Sequence, residues 1–271
     1  MRKFFSLIIA AILVVSVVFI SWKAETGKKV NGKERKVALS PVQQFFEQYV
    51  NNIYQAANLE QSGLSNVVFQ RALTGYLNLK LVNKLPQNSS IITVVDFTKS
   101  SHEKRMWIID LLNKHLLLNT WVAHGQGSGD DMASQFSNDM DSHQSSLGFY
   151  LTDNNTYFGK HGRSLKLDGL DEGFNDNARA REIVVHAADY VCQSAIDKLG
   201  YLGRSFGCPA VSPAVAQQVI NTIKGRNMIY IHGNADSYNS KYLDQDLAAS
   251  SIFPGFMNNA QSTDTLSTAK L

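Results

Sequence analysis

Cysteine is scarce in this chain, two residues in 271, and the scarcity narrows its chemistry. One disulfide is the most that two thiols allow, so a scaffold stapled by several bridges is excluded. Neither a paired-cysteine zinc motif nor His-Glu-x-x-His occurs, so metal-assisted hydrolysis lacks its common sequence signatures. Basic excess is also missing once the N-terminus is set aside. The formal net charge is +3, but residues 1–36 hold eight Lys or Arg against two Asp or Glu, which leaves 18 basic and 21 acidic residues beyond them. Such a body has no electrostatic source of attraction to phosphate backbones, and nucleic acid is not expected as a partner.

One long uncharged run is present. Arg2 and Lys3 precede residues 4–22, 19 residues without a charge, which at about 1.5 Å per residue just span a bilayer core of about 30 Å. A secretory signal peptide is the competing reading. The run exceeds a signal core in length, Trp22 spoils the small-x-small cleavage pattern, and no cysteine follows to accept a lipid. An uncleaved anchor at 1–23 is favoured. The larger basic set, Lys23, Lys28, Lys29, Lys33, Arg35 and Lys36, follows the run, and on charge alone would keep the body on the cytoplasmic side. These residues fit either a headgroup-facing cluster or a solvated linker.

Residues 24–39 are polar, show no apolar period and read as a tether. Residues 40–89 read as helical. Ser40 followed by Pro41 is a helix start, and Val42, Phe45, Phe46, Tyr49, Val50 and Ile53 form one stripe. A second helix is expected near Ser65, with Gly75 weakening it. From Ser90 onward the pattern changes to short alternating runs at 91–97, 105–112, 115–123 and 147–151, with Asn113-Lys114 as a two-residue turn. Residues 90–233 are therefore expected to be a mostly antiparallel β domain, giving an α+β chain, mainly β with peripheral helices. The Gly, Ser, Asp and Asn-rich stretch 125–142 reads as a mobile loop over the sheet. Ser212-Pro213 opens another helix that Gly225 closes, 228–231 is a last strand, and residues 234–271 read as a disordered tail.

The chemistry concentrates in Arg204-Ser205-Phe206-Gly207-Cys208-Pro209 and in His186, which ends the apolar run Ile183-Val184-Val185. A thiol attacks a carbonyl only as thiolate, so a working cysteine needs a group that takes its proton, and imidazole is the usual one. The 22 positions between His186 and Cys208 cannot be closed by helical or strand spacing; the fold must do it. Gly207 permits backbone N–H groups to approach a reacting carbonyl, and Pro209 holds Cys208 in extended conformations. On residue types alone Cys208 is a candidate nucleophile and inert core is the commoner fate of a lone cysteine. Cys192, inside an expected helix over 189–199, reads as core.

Five blocks carry a resemblance: Tyr157-Phe158-Gly159-Lys160-His161-Gly162, Leu165-Lys166-Leu167-Asp168-Gly169-Leu170, Gly173-Phe174-Asn175-Asp176-Asn177-Ala178-Arg179, His186-Ala187-Ala188-Asp189-Tyr190, and Gly203 through Ala210. In this order, over residues 65–233, the chain resembles the murein L,D-transpeptidase catalytic domain family, a divergent branch of the YkuD-type enzymes. The resemblance implies an antiparallel sheet or sandwich, Cys208 as nucleophile forming a thioester to peptidoglycan, His186 as base, and the Gly207 and Cys208 amides as oxyanion donors. It implies peptidoglycan stem peptides as partners, no cofactor and no metal, and a periplasmic location that overrides the charge reading of topology. Two departures stand out: Phe206 occupies the position of the wider family's second histidine, and the spacer from His186 to Cys208 is longer than in typical members. Tyr157, His161, Arg204, Ser205 and Phe206 are expected to bind substrate. For His161 and Arg204 an ordinary loop or surface role is the competing reading.

Other classes remain open at this level. The same thioester taken by water gives an L,D-carboxypeptidase. His161, His186, Asp189 and His232 could assemble a zinc site of a cell-wall peptidase, and a non-catalytic murein-binding module would need no thiol at all. Papain-like peptidases place the cysteine before the histidine, the caspase cysteine context is absent, and sortases carry a Thr-x-Thr-Cys context that differs from Ser205-Phe206-Gly207-Cys208.

Overall fold

The computed structural model describes residues 39–252; the apolar run at 4–22, the stretch 24–38 and residues 253–271 lie outside them. Two helices come first, α1 (Pro41–Ala56) and α2 (Asn66–Leu81). Ser40 starts α1 as a reciprocal capping box: its hydroxyl accepts the Gln43 N–H at 3.2 Å while the Gln43 side chain accepts the Ser40 N–H at 2.9 Å. The apolar stripe turns Phe46, Val50 and Ile53 inward. In α2, Gly75 has a packing reason. A Cβ there would lie 2.0 Å from Phe149 Cε1, so the bare backbone lets the helix settle onto that ring. This offsets the roughly 1 kcal/mol that glycine costs inside a helix.

Among the described residues nine strands form one sheet: β1 (Ile91–Asp96), β2 (Met106–Asp110), β3 (His115–Thr120), β4 (Gly148–Thr152), β5 (Tyr157–Gly159), β6 (Gly162–Gly169), β7 (Val184–Ala187), β8 (Ala210–Val211) and β9 (Met228–His232). Their order is β3-β2-β1-β9-β4-β6-β7-β8, with β5 paired to β6. The expected mainly β architecture with peripheral helices is what the chain forms. Two pairings, β1 with β9 and β7 with β8, are parallel, and both need a long crossover that alternation in sequence does not reveal. The β2–β3 connection takes four residues, 111–114, instead of the expected two. The Asp110 carboxylate shapes it by accepting the Leu112 and Asn113 N–H groups at 3.0 and 3.3 Å.

Both faces of the sheet are covered. On one, Ile92, Val94, Trp107, Phe149 and Tyr230 pack with α1, α2 and the C-terminal helix. On the other, Val95, Ile108, Tyr150, Leu165, Leu167 and Val185 pack with helix α4 (Pro213–Ile223), which begins at Ser212-Pro213 as expected. The short helix α3 (Gln193–Leu199) starts later than the sequence suggests. Residues 188–192 form a turn instead, Val191 is buried, and Cys192 is a half-exposed N-cap residue and not core.

The expected disordered tail needs correction over its first part. Residues 241–243 form a 3₁₀ turn and Gln245–Ile252 form helix α5. Polar anchors fix this segment: the Tyr238 and Ser240 hydroxyls donate to the buried Asp171 carboxylate at 2.9 and 2.5 Å, and the Asn78 amide donates to the Tyr242 and Asp244 carbonyls. The loop at 125–142 is tied down as well. Gly127 N–H bonds to His143 O at 2.9 Å, and the Ser128 hydroxyl accepts the Ser145 N–H at 2.9 Å. Among the described residues no helix is long and apolar enough to cross a membrane.

Candidate active site

The parallel pairing of β7 and β8 closes the 22-residue gap. His186 lies opposite Ala210 and Ala187 opposite Val211, so Cys208, two residues before Ala210, is level with Val184, two residues before His186. The Val184 N–H accordingly reaches the Cys208 sulfur at 3.4 Å. Val184 pairs on its other side with Lys166 of β6.

Directly opposite and alternate residues of a sheet share a face. Tyr157 pairs with Ser164 and Lys166 with Val184, so Tyr157, Ser164, Lys166, Val184 and His186 share one face, while Leu165, Leu167 and Val185 point into the core on the other. That polar face lines a cleft of about 650 Å³. Arg181, Glu182, Arg204, Phe206 and Cys208 line the same cleft. Both sequence-selected groups, thiol and imidazole, therefore open into one space, and no hydrogen bond joins them directly.

Each is held by backbone. His186 is buried, and its Nδ1–H donates to Ala187 O at 2.8 Å, which leaves Nε2 with a free lone pair as the basic atom. Burial lowers the His186 pKa below its ordinary value, the Ala187 hydrogen bond opposes this, and the charge of His161 pushes further down. His161 stacks on His186 with ring centres 4.3 Å apart. The Cys208 Sγ–H donates to Glu182 O at 3.8 Å. Glu182 carries φ +56, a left-handed conformation uncommon outside glycine. Burial raises the Cys208 pKa, the Val184 N–H and the Arg181 charge pull it down, and Glu182 pushes it up. Both net shifts run toward the neutral forms, thiol and imidazole.

The turn before Cys208 is fixed from inside. The Ser205 hydroxyl accepts the Gly207 N–H at 3.1 Å and donates to Cys208 O at 2.7 Å, and the Ser205 backbone bonds to His124 O and Gln126 N–H. Two sequence expectations narrow accordingly. Ser205 spends its hydroxyl proton on the turn and has no O–H to donate to a substrate, and the Gly207 amide, expected as an oxyanion donor, is already satisfied. The Cys208 amide has no hydrogen-bond partner among the described residues. Gly207 itself is required by φ +116 and by Gln144 O, 2.7 Å from where a Cβ would sit.

Arg204 lines the cleft but is also spoken for: its Nη1 donates to Gly129 O at 2.9 Å and pairs with Asp130. Phe206, at the position of the wider family's second histidine, is 65 % exposed and stacks on His143, with ring centres 4.3 Å apart. Tyr157 lies beneath the Lys166 ammonium, 5.2 Å from ring centre to nitrogen.

Sequence reasoning missed Arg181. Half-buried, it donates to Ser137 O (2.8 Å), Ser146 Oγ (2.6 Å), Ser142 Oγ (3.2 Å) and Gln144 O (2.6 Å), with no carboxylate partner among the described residues. It pins residues 137–146 and adds a positive charge that is felt at the Cys208 sulfur. Its position two residues beyond a resemblance block was the only signal. Both cysteines are free thiols. Among the described residues no three His, Cys, Asp or Glu side chains converge to hold a metal, so the zinc arrangement of His161, His186, Asp189 and His232 is not assembled.

Comparison with known proteins follows the same lines. The family model of the L,D-transpeptidase catalytic domain matches residues 60–232, a segment that contains both His186 and Cys208. No curated protein matches the chain. Similar solved structures include an L,D-transpeptidase from Mycobacterium smegmatis, 12% identical with TM-score 0.33, covering 53% of this chain and 59% of that one. L,D-transpeptidase 3 from Mycobacterium tuberculosis is 10% identical with TM-score 0.32 over 53% and 61%, and the Enterococcus faecium L,D-transpeptidase is 13% identical with TM-score 0.30 over 53% and 50%. The chain spans less than two thirds of each of these relatives. On the family match over residues 60–232, which is more than half of its length, this chain belongs to the YkuD-type L,D-transpeptidase catalytic domain family.

Proposed function

We propose that this protein is a cell-envelope L,D-transpeptidase that acylates Cys208 with a peptidoglycan stem tetrapeptide. The observation that carries the reading is the shared cleft of Cys208 and His186, aligned by the β7–β8 register. His186 Nε2 takes the thiol proton as Sγ turns from Glu182 O into the cleft, and the sulfur attacks the carbonyl of an L,D bond. The Cys208 N–H, unpartnered at rest, donates to the oxyanion. Collapse of the tetrahedral adduct breaks the C–N bond, and the His186 imidazolium returns its proton to the departing amine of the terminal D-residue. An acceptor amine then attacks the thioester, loses a proton to His186 and expels the Cys208 thiolate, giving a cross-link or attachment. Water in the same role gives carboxypeptidase activity. Arg181 and the Val184 N–H favour the thiolate in both halves.

An envelope location accords with a family that acts on the cell wall, and residues 4–22 would supply the anchor or export signal. Intact mass after incubation with a tetrapeptide muropeptide or a carbapenem tests the proposal. An adduct on the wild type that is absent from Cys208→Ala supports it. A wild type that takes no adduct, or turnover that survives in Cys208→Ala, rejects it.

A further inference from the structure

The cleft is lined by five cations and one carboxylate, Glu182. Three of the cations are committed. Arg179 pairs with Asp168 and Asp153, Arg204 pairs with Asp130, and Arg181 is spent on the carbonyls and hydroxyls of residues 137–146. The two lysines have no carboxylate partner among the described residues. Lys160 sits at the exposed tip of the β5–β6 hairpin, whereas Lys166 rises from the cleft floor beside Val184, the residue whose N–H holds the nucleophile.

We infer that Lys166, steadied over the Tyr157 ring, binds a carboxylate that the donor peptide carries on the β6 side of the attacked carbonyl. Cross-strand neighbours on one face stand about 5 Å apart at Cβ. Cys208 lies across Val184 from Lys166, two such spacings away, so the ammonium, on its four-carbon stem and leaning toward Tyr157 of β5, reaches a group on the β6 side of the attacked carbonyl and not the far ends of the cleft. The Tyr157 ring attracts the ammonium through its face, which restricts the flexible stem while leaving the ammonium its N–H donors. An ammonium with donors unspent is matched by a carboxylate through charge-assisted hydrogen bonds. The substrate class is thus an acidic peptide, and a peptide whose flanking carboxylate is amidated is the poorer ligand. This inference rests on the reading of the cleft as a peptide-acylating site.

Binding can be measured apart from chemistry. Using the Cys208→Ala variant, fluorescence anisotropy compares a labelled stem tetrapeptide with matched peptides in which one carboxylate at a time is amidated. Amidation of one position is expected to weaken binding roughly fivefold to tenfold, about 1 kcal/mol. Adding Lys166→Met should bring acid and amide within about twofold of each other, the residue of an unspecific charge effect, while Lys166→Arg restores part of the preference and Lys160→Met leaves it in place. Absence of any acid preference, or its persistence in Lys166→Met, overturns the inference. Failure of the thioester proposal looks different: the wild type takes no mass adduct, while acid preference in the Cys208→Ala background stays intact.

Discussion

The backbone N–H of Val184 points at the sulfur of Cys208 from 3.4 Å, a donor supplied by strand register and not by a side chain. A donor at the sulfur favours the thiolate and opposes the upward push of burial. If His186 is the base for that thiol, His186→Gln, which keeps a polar side chain without the basic nitrogen, should slow acylation by roughly 10²–10⁴-fold, and Cys208→Ala should abolish it. Time-resolved intact mass with a carbapenem follows both. A His186→Gln variant that acylates at the wild-type rate removes the imidazole from the mechanism.

Arg181 joins that sulfur to residues 137–146. Arg181→Met should raise the midpoint of the iodoacetamide alkylation profile of Cys208, hasten limited proteolysis within 137–146, and cost about 1–3 kcal/mol of stability through buried acceptors left unpaired. Arg181→Lys should lower the alkylation midpoint again but leave the protease sensitivity, since it restores charge without the fork. An unchanged alkylation midpoint in Arg181→Met would show that its charge is not felt at the sulfur.

Burial raises Cys208 and lowers His186, and the two shifts set different pH limbs. Alkylation of the free thiol should rise only above the ordinary thiol range, about pH 8.5. Acylation assisted by neutral His186 should persist below pH 6.5, the ordinary imidazole value, until the ring protonates. His161→Phe keeps an aromatic partner and removes the repelling charge, so it should move the acid limb to higher pH. Rapid alkylation already at pH 6 would instead mean a resting thiolate–imidazolium pair.

Stability has its own pH signature at His124. It is buried, accepts from Arg105 Nη2 at Nδ1 (2.7 Å), and has its pKa pushed down to about 4 by burial first and by the Arg105 charge second. The unfolded chain binds this proton below about 6.5 and the folded chain does not. The contribution is therefore complete above pH 6.5 and is lost between 6.5 and about 4, by on the order of 3 kcal/mol. Denaturant titrations across that window should flatten in His124→Gln relative to the wild type; parallel curves would contradict the assignment.

Gly75→Ala sets helix propensity against packing. Alanine favours the helix by about 1 kcal/mol, but its Cβ would sit 2.0 Å from Phe149 Cε1, and overpacking costs about 1–3 kcal/mol. The substitution should lower the urea midpoint, and the loss should shrink when combined with Phe149→Leu, a coupling visible in a double-mutant cycle. Additive effects would mean that the ring yields freely.

Local signals were legible. Ser40-Pro41 and Ser212-Pro213 start helices because an extended serine followed by proline in the first turn is set by adjacent residues, and His186 falls in the strand Val184–Ala187 because a β-branched run leads into it. Relationships between distant segments were not. The hairpin of β5 and β6 was hidden by Gly159-Lys160-His161-Gly162, which interrupts alternation, and α5 was hidden because polar bonds to Asp171 and Asn78 dock its segment and only two small alanines, Ala248 and Ala249, are buried in the helix itself. Arg181 left no pattern, since its partners are mostly backbone and hydroxyl groups 35 to 44 positions away. Within the site, the cysteine and the histidine that line the cleft were singled out by residue type together with the resemblance; which amide stays free was not legible.

The side-by-side alignment of β7 and β8 fixes the height of thiol and imidazole along the strands, so the length of the intervening chain is uncoupled from that alignment. Extra residues spliced into the surface turn around Gly200 would leave both groups in place, whereas a single residue added between Cys208 and Ala210 would turn the sulfur away from the cleft. The stretch from 193 to 200 is thus a natural seat for a reporter or a docking appendage on a working enzyme.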